Sequence, residues 1–417
     1  MAQGRDATAI VTDTVFADRL VRLEQWLWNQ GFVELRLGAA PKDAELAREV
    51  AALSDLYTTD RAALARERGG ANSAQRLRAK LGFFLCSDAP KVYRVLVELE
   101  RRGALARAAE GGSLRALDLG SGVGSAGVGL LLSLNPASIP SVVLHAVDAD
   151  RPALEIGDRI VRRAASIAGL ELRASREPRD LNAGPPDRSA ARFDLVLIQS
   201  LLNELFLDMP APQRLARCAA WLESALAGGD GLTIVIEPAL REPTRTLHRI
   251  RDLLVDARRA AVWAPCPHQQ PCPMLARARD WCHERTVFAP PPKVAALQAL
   301  TRRRDQRLNY SFVVLGRYGQ APAAAPARWP PSAGRLVSDA LPSKGKLERL
   351  LCAGDGALRR LRLLTRDQTE ANALLGLAPR GELVRCSELS SPRIASDTRV
   401  EKLRSPSPSG RGTGVRD

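Results

Sequence analysis

Leu117-Asp118-Leu119-Gly120-Ser121-Gly122-Val123-Gly124 closes one apolar run and opens onto the small residues of a helix. Its three glycines let the backbone turn sharply and approach a ligand closely, and the helix that follows presents free N–H donors at its start. A dinucleotide fold uses the same logic with a different spacing. Here an acidic residue, Asp118, precedes the loop. A second apolar run, Val142–Val147, ends on Asp148 and Asp150. A carboxylate in that position can accept two hydrogen bonds from a ribose diol.

Working outward, short apolar runs continue at Leu114–Leu119, Phe193–Ile198, Leu232–Ile236, Ala261–Ala264 and Tyr310–Leu315, with helical stretches such as Pro152–Ala168 and Thr244–Arg259 between them. Alternation of this kind predicts an α/β fold whose largely parallel sheet is covered on both faces. The last strand follows a long insertion, so the closing pair is expected to run antiparallel. Upstream, residues 1–110 read as helices, with Phe16, Leu20, Leu23 and Leu27 at helical spacing and a break at Gly69–Ser73. Pro90 is expected in the first turn of a helix capped by Ser87 or Asp88. The α/β domain is placed at 111–318, with a cysteine-rich insertion at 264–283. A Pro/Ala-rich linker follows at 319–334. A small basic β-rich module is expected at 335–388, built on Lys346–Cys352, Leu358–Leu364 and Glu382–Cys386, and a disordered tail at 389–417.

The 417 residues carry a net charge of +15. From Arg285 to Asp417 there are 24 Lys+Arg against 11 Asp+Glu, so the excess is concentrated in the C-terminal third. A basic domain on a near-neutral one points to a polyanion, of which nucleic acid is the commonest. No apolar run reaches bilayer length, and seven unevenly spaced cysteines do not form a secreted disulfide framework. A reducing, cytoplasmic compartment and the absence of membrane or secreted partners are therefore expected.

The glycine loop with its two acidic positions resembles the S-adenosylmethionine site of the Rossmann-like methyltransferases. That resemblance implies that Asp118, Gly120, Ser121, Gly122 and Gly124 line the cofactor and that Asp148 binds its ribose. Asp180-Leu181 would form an adenine-side loop. After the fourth strand, Gln199-Ser200 stands where amino-methylating relatives carry a proline-rich aromatic motif, which argues against base methylation. Asn203 and Glu204 fit either a substrate contact or a helix cap.

Three cysteines crowd the words Ala-Pro-Cys266-Pro-His268, Pro-Cys272-Pro and Asp280-Trp281-Cys282-His283. Clustered thiolates suit an iron–sulfur centre or zinc, and the spacing is not the tight Cys-x-x-Cys of zinc ribbons. These words resemble the methyltransferase-like small-ribosomal-subunit assembly protein family, over about residues 75–385. The resemblance implies a four-iron four-sulfur cluster held by Cys266, Cys272, Cys282 and a fourth cysteine in a Leu-Cys-x-x-Asp-Gly context, Cys352. Zinc is the alternative; His268 and His283 are then candidate substitute ligands, although supporting or packing roles beside the thiols are the favoured reading for both. Cys86, Cys218 and Cys386 read as packing residues. The function implied is a factor that docks small-subunit rRNA through the basic module, with phosphate contacts from Lys344, Lys346, Arg349, Arg359, Arg360, Arg362 and Arg366. An active methyltransferase on RNA, protein or a small molecule is the second expectation, and a redox or iron sensor the third. No residue declares itself as a catalyst.

Overall fold

The structure is a computed structural model and describes residues 8–59, 73–105, 111–186, 192–301, 307–319, 329–387, 389 and 392–403. Most of the Gly69–Ser73 break, most of the 319–334 linker and the end of the 389–417 tail lie outside the described residues.

The N-terminal region is helical, with α1 (Asp13–Trp26), a π-helical turn (Leu27–Gly31), α2 (Phe32–Glu34), α3 (Asp43–Thr59) and α4 (Ser73–Ala79). A second π-helical turn (Lys80–Phe84) leads straight into α5 (Leu85–Arg101). Pro90 therefore sits inside a helix that has already begun, and not in a first turn. Ser87 caps nothing: its hydroxyl donates to the Phe83 carbonyl at 2.8 Å.

The first sheet has eight strands in the order β3-β2-β1-β4-β5-β8-β6, with β7 also paired to β8. Its members are β1 (Ser113–Leu119), β2 (Ser141–Asp148), β3 (Glu171–Pro178), β4 (Leu195–Gln199), β5 (Leu232–Pro238), β6 (Ala260–Ala264), β7 (Glu284–Val287) and β8 (Arg307–Arg317). Strands β1 to β5 are parallel, and β8 runs antiparallel to β5, β6 and β7. Helices α6 (Ser125–Ser133), α7 (Arg151–Ala168), α8 (Ala211–Ala225), α9 (Arg241–Asp256) and α10 (Pro292–Leu300) cover it. The expected α/β sheet is thus present, with its antiparallel closing pair. Helix α7 shows how local chemistry sets an element. The Asp150 carboxylate accepts from Ala153 N at 3.1 Å, Pro152 occupies the first turn, and Gly169 ends the helix at φ 73°.

A second, seven-stranded sheet is formed by β9 (Ala333–Leu336), β10 (Leu341–Ser343), β11 (Lys346–Ala353), β12 (Leu358–Leu364), β13 (Leu383–Cys386), β14 (Arg393–Ile394) and β15 (Val400–Lys402), with α11 (Leu374–Leu377) beside it. Two expectations are corrected here. Ala333 and Gly334 are strand residues pairing with β11 and β13, so the stretch read as a linker ends before them. Residues 393–402 are not a disordered tail: β14 pairs with β12 and β15 with β13, and Ile394 and Val400 are buried in the sheet's core.

Candidate functional site

The glycine loop crosses the C-terminal end of β1 as expected. Gly120 and Ser121 donate backbone N–H groups to the Val147 carbonyl at 2.8 and 3.2 Å, tying the loop to β2. Gly120 has φ 75°, and a Cβ there would meet Leu201. Asp148 is integral to the loop, since one carboxylate oxygen accepts from Gly122 N and the other from Asp150 N, each at 2.8 Å. A carboxylate offers about four lone-pair directions, so two remain for a diol. Asp150 and Asp180 each cap a helical turn, the latter accepting from Asn182 N at 3.0 Å.

A cleft of about 640 Å3 opens over this end of the sheet. Gly120, Ser121, Gly122, Asp148 and Asp180 form one wall, and Gln199, Asn203, Pro238, His283 and Asn309 another. Its roof comes from the N-terminal helices, through Tyr57, Arg76, Lys80 and Phe84, residues that belong to no functional motif. Asp118 and Gly124 are not on the cleft's surface. With Ser121 they line a separate void of about 10 Å3, the size of one water. Ser121 Oγ and Asp118 Oδ1 are both buried without a hydrogen-bond partner among the described residues, so polar capacity lies in and directly beneath the loop.

Asn203 is not a helix cap. It donates to the buried Glu237 carboxylate at 2.6 Å, which also accepts from Leu202 N at 2.9 Å, and the next helix begins only at Ala211.

Burial pushes the Asp118 carboxyl up to about 7, against the Gly127 N–H donated at 3.1 Å and assisted by the negative charge of Asp148. The folded chain therefore holds a proton that the unfolded chain releases near the ordinary value of 3.8. Stability is expected to fall as pH rises between those two values, by a few kcal/mol in all. Asp118→Asn is expected to flatten that dependence in urea midpoints; an unaltered slope would contradict it.

The cysteine insertion is fastened by two buried guanidinium groups on α9. Arg251 donates to the carbonyls of His268 (2.9 Å) and Gln270 (2.5 Å), and the neighbouring Asp252 carboxylate accepts from Cys272 N at 2.9 Å. Arg245 binds the carbonyls of Arg277, Asp280 and Leu275 at 2.7–3.1 Å. Cys272 and Cys282 are buried in one cluster with Cys352, which arrives on β11 of the second sheet. Cys266, half-buried, acts electrostatically on all three. Burial first, and then repulsion from neighbouring thiolates, raises Cys272, Cys282 and Cys352, with Cys282 at about 12. His268 Nδ1 lies 3.0 Å from the Gln270 carbonyl and must donate to it, so its Nε2, 3.2 Å from Cys352 Sγ, carries the lone pair. All seven cysteines are free thiols; Cys86, Cys218 and Cys386 lie buried elsewhere.

Cysteine thiolates are the soft donor type that iron–sulfur centres use, and three of these four share one buried cluster. A single zinc ion draws its sulfurs to about 2.3 Å from one point. No three His, Cys, Asp or Glu side chains among the described residues are gathered tightly enough to hold one metal ion.

The second sheet departs from the sequence expectation in its charges. Arg349 is buried and donates to the Leu375 and Ala378 carbonyls, so it is not a phosphate contact. Arg359 pairs with Asp355, and Lys346, Arg360 and Arg362 surround Glu348. Lys344 and Arg366 have no ion-pair partner among the described residues.

Strand order, an antiparallel strand between β5 and β6, and a glycine loop at the end of β1 define an α/β protein with a Rossmann-like, methyltransferase-type sheet. Residues 91–387 match the family described as mitochondrial small ribosomal subunit Rsm22, and the chain belongs to that family. The chain is also similar to the O-methyltransferase TomG of Streptomyces achromogenes, solved with S-adenosylmethionine. Identity is 13%, 56% of this chain and 90% of that one are covered, and the TM-score is 0.29. An O-methyltransferase from Bacillus cereus solved with S-adenosylhomocysteine gives 11% identity, coverages of 56% and 90%, and a TM-score of 0.27. A methyltransferase from Methanosarcina mazei gives 13%, 49% and 92%, with a TM-score of 0.26. No curated protein matches the chain. Among the described residues no helix is long and apolar enough to cross a membrane. The family is described as mitochondrial, and the cytoplasmic expectation rests on composition alone.

Proposed function

We propose that this chain is a methyltransferase-like factor of the small ribosomal subunit that binds S-adenosylmethionine and a four-iron four-sulfur cluster and contacts rRNA during assembly or translation. The observation that carries the reading is the arrival of Cys352, from the second sheet, among Cys272, Cys282 and Cys266. Asp148 and the backbone of Gly120–Gly122 would hold the nucleoside end of the cofactor, with Asp180-Leu181 at its base and Ser121 offering its hydroxyl. Asp118 acts from beneath the loop, fixing the start of α6 through Gly127 N. The four cysteines would hold the cluster, which supplies a staple between the sheets. Arg251 and Asp252 hold the ligand loop in shape.

Calorimetry with S-adenosylhomocysteine tests the cofactor half. Asp148→Ala is expected to weaken binding by about tenfold or more, about 1.4 kcal/mol. Equal affinity in the two proteins would remove Asp148 from the site.

An active methyltransferase is the second reading. It is favoured by the cleft's volume and by the polar side chains of Gln199, Asn203 and Asn309 on the wall away from the loop. Methyl transfer depends mainly on in-line positioning, so a missing base does not count against it. Transfer of labelled methyl from the cofactor to immature small subunits would establish it, and none would leave the binding role.

A further inference from the structure

Helix α1 and the π-helical turn Leu27–Gly31 pack beside α7, and a groove of about 310 Å3 lies between them. Arg22, Gln25, Trp26, Asn29, Gln30 and Arg163 line it, and no carboxylate does. Neither Arg22 nor Arg163 has an ion-pair partner among the described residues. Asp18, one turn before Arg22 on α1, makes no ion pair with it. On the second sheet, by contrast, Glu348 and Asp355 occupy most of the exposed cations named above.

The Arg163 guanidinium lies 5.5 Å above the ring of the buried Trp26. A cation over an indole face is attracted to the ring, which restrains the exposed, planar Arg163 head beside the groove. RNA-binding proteins stack unpaired bases on such planes. Arg22 presents a planar fork suited to a phosphate. The π-helical turn sets Asn29 and Gln30 along the groove with Gln25, and a carboxamide both donates and accepts, as the edge of a base requires.

We propose that this groove takes one nucleotide unit of a single-stranded RNA segment, with the phosphate on Arg22, the base against Arg163, and the base edge on the carboxamides. A small inorganic anion would use the two cations but leave the amides and the guanidinium plane without a role. The inference rests on the RNA-binding part of the function proposed above, and places a contact on a surface separate from the cleft and the thiols.

The test is fluorescence anisotropy of the full chain with a labelled single-stranded segment of small-subunit rRNA, over a salt series. The Arg22→Glu/Arg163→Glu variant is expected to bind about tenfold more weakly and with a salt slope shallower by about one. Asn29→Ala/Gln30→Ala is expected to weaken binding with the slope unchanged. Lys344→Glu/Arg366→Glu serves as the comparison on the second sheet. Thermal midpoints show whether each variant is folded, and Arg22→Gln/Arg163→Gln replaces the charge reversal should that one not be. Unchanged affinity and slope in the groove variants, with loss in the Lys344/Arg366 variant, would overturn the groove and leave RNA binding standing. Failure of the unaltered chain to bind RNA would overturn both.

Discussion

Replacing Arg335 by Ala is expected to lower the unfolding free energy of the chain by about 3–5 kcal/mol, the range for breaking a buried ion pair from one side. Arg335 leaves β9 and enters the seam between the sheets. Its guanidinium forks onto Glu98 of α5 at 2.8 and 2.9 Å and donates to Glu284 of β7 at 3.0 Å. Burial disfavours charge on Glu98 and Arg335, yet the attraction wins: Glu98 is held below its usual value and Arg335 well above its own. Without the guanidinium, Glu98 retains Arg102 at 2.6 Å, whereas Glu284 is left buried with no ion-pair partner among the described residues. The double variant Glu284→Gln/Arg335→Met, which keeps the Glu98–Arg102 pair, should recover much of the loss, because neither Glu284 nor residue 335 then carries an unpaired charge into the seam. Urea denaturation measures both proteins. A loss below about 1 kcal/mol for Arg335→Ala would show the seam to be solvated.

The effect should extend to the thiols. Arg102, which shares Glu98, also donates to the Trp263 and Pro265 carbonyls at 2.7 and 3.3 Å, immediately before Cys266. One buried network therefore links the N-terminal helices, the second sheet and the base of the ligand loop.

Replacing Cys352 by Ser is the second large expected effect. A serine oxygen is a hard ligand, and an iron–sulfur centre deprived of one of four thiolates is expected to be lost during anaerobic purification, with its visible absorbance. Under the proposed ligation from both sheets, metal binding would be coupled to docking, and amides of β11 and β12 should then exchange faster with solvent. The loosening should be partial. Arg335 still bridges the seam, and Arg380 still donates to the His283 carbonyl at 2.8 Å. Cys282 and Cys352 have 69 residues between them in the sequence, and these two charged contacts join the sheets whatever the thiols hold. An unchanged brown product from Cys352→Ser would remove that residue from the ligand set.

What was legible in the sequence is what local chemistry writes there. Strands β1, β4, β5, β6 and β8 are apolar because they are largely covered on both faces, β2 is marked by the buried Val142, Leu144 and Val147, and the glycine loop follows β1 at once. Strand β3 escaped notice because it is an edge strand whose residues, Glu171 to Pro178, carry charges and are mostly exposed. Strand β7 has four residues, and β14 and β15 two and three, too short for any periodicity to show. Their pairing is set by distant backbone, which composition does not record. The same limit hid the pair Glu98–Arg335, 237 residues apart, and the roof of the cleft built from Tyr57, Lys80 and Phe84. Charge counting also misled in one place. It took the arginines of β11 and β12 as free, whereas cross-strand neighbours put Glu348 opposite Arg362 and within reach of Arg360.

The most direct test of the central claim is the iron, acid-labile sulfide and zinc content of the unaltered chain purified without oxygen. The account requires about four irons and about four sulfides per chain with little zinc, the content of a cluster held by four cysteines. Stoichiometric zinc without sulfide, or no metal at all, would contradict it.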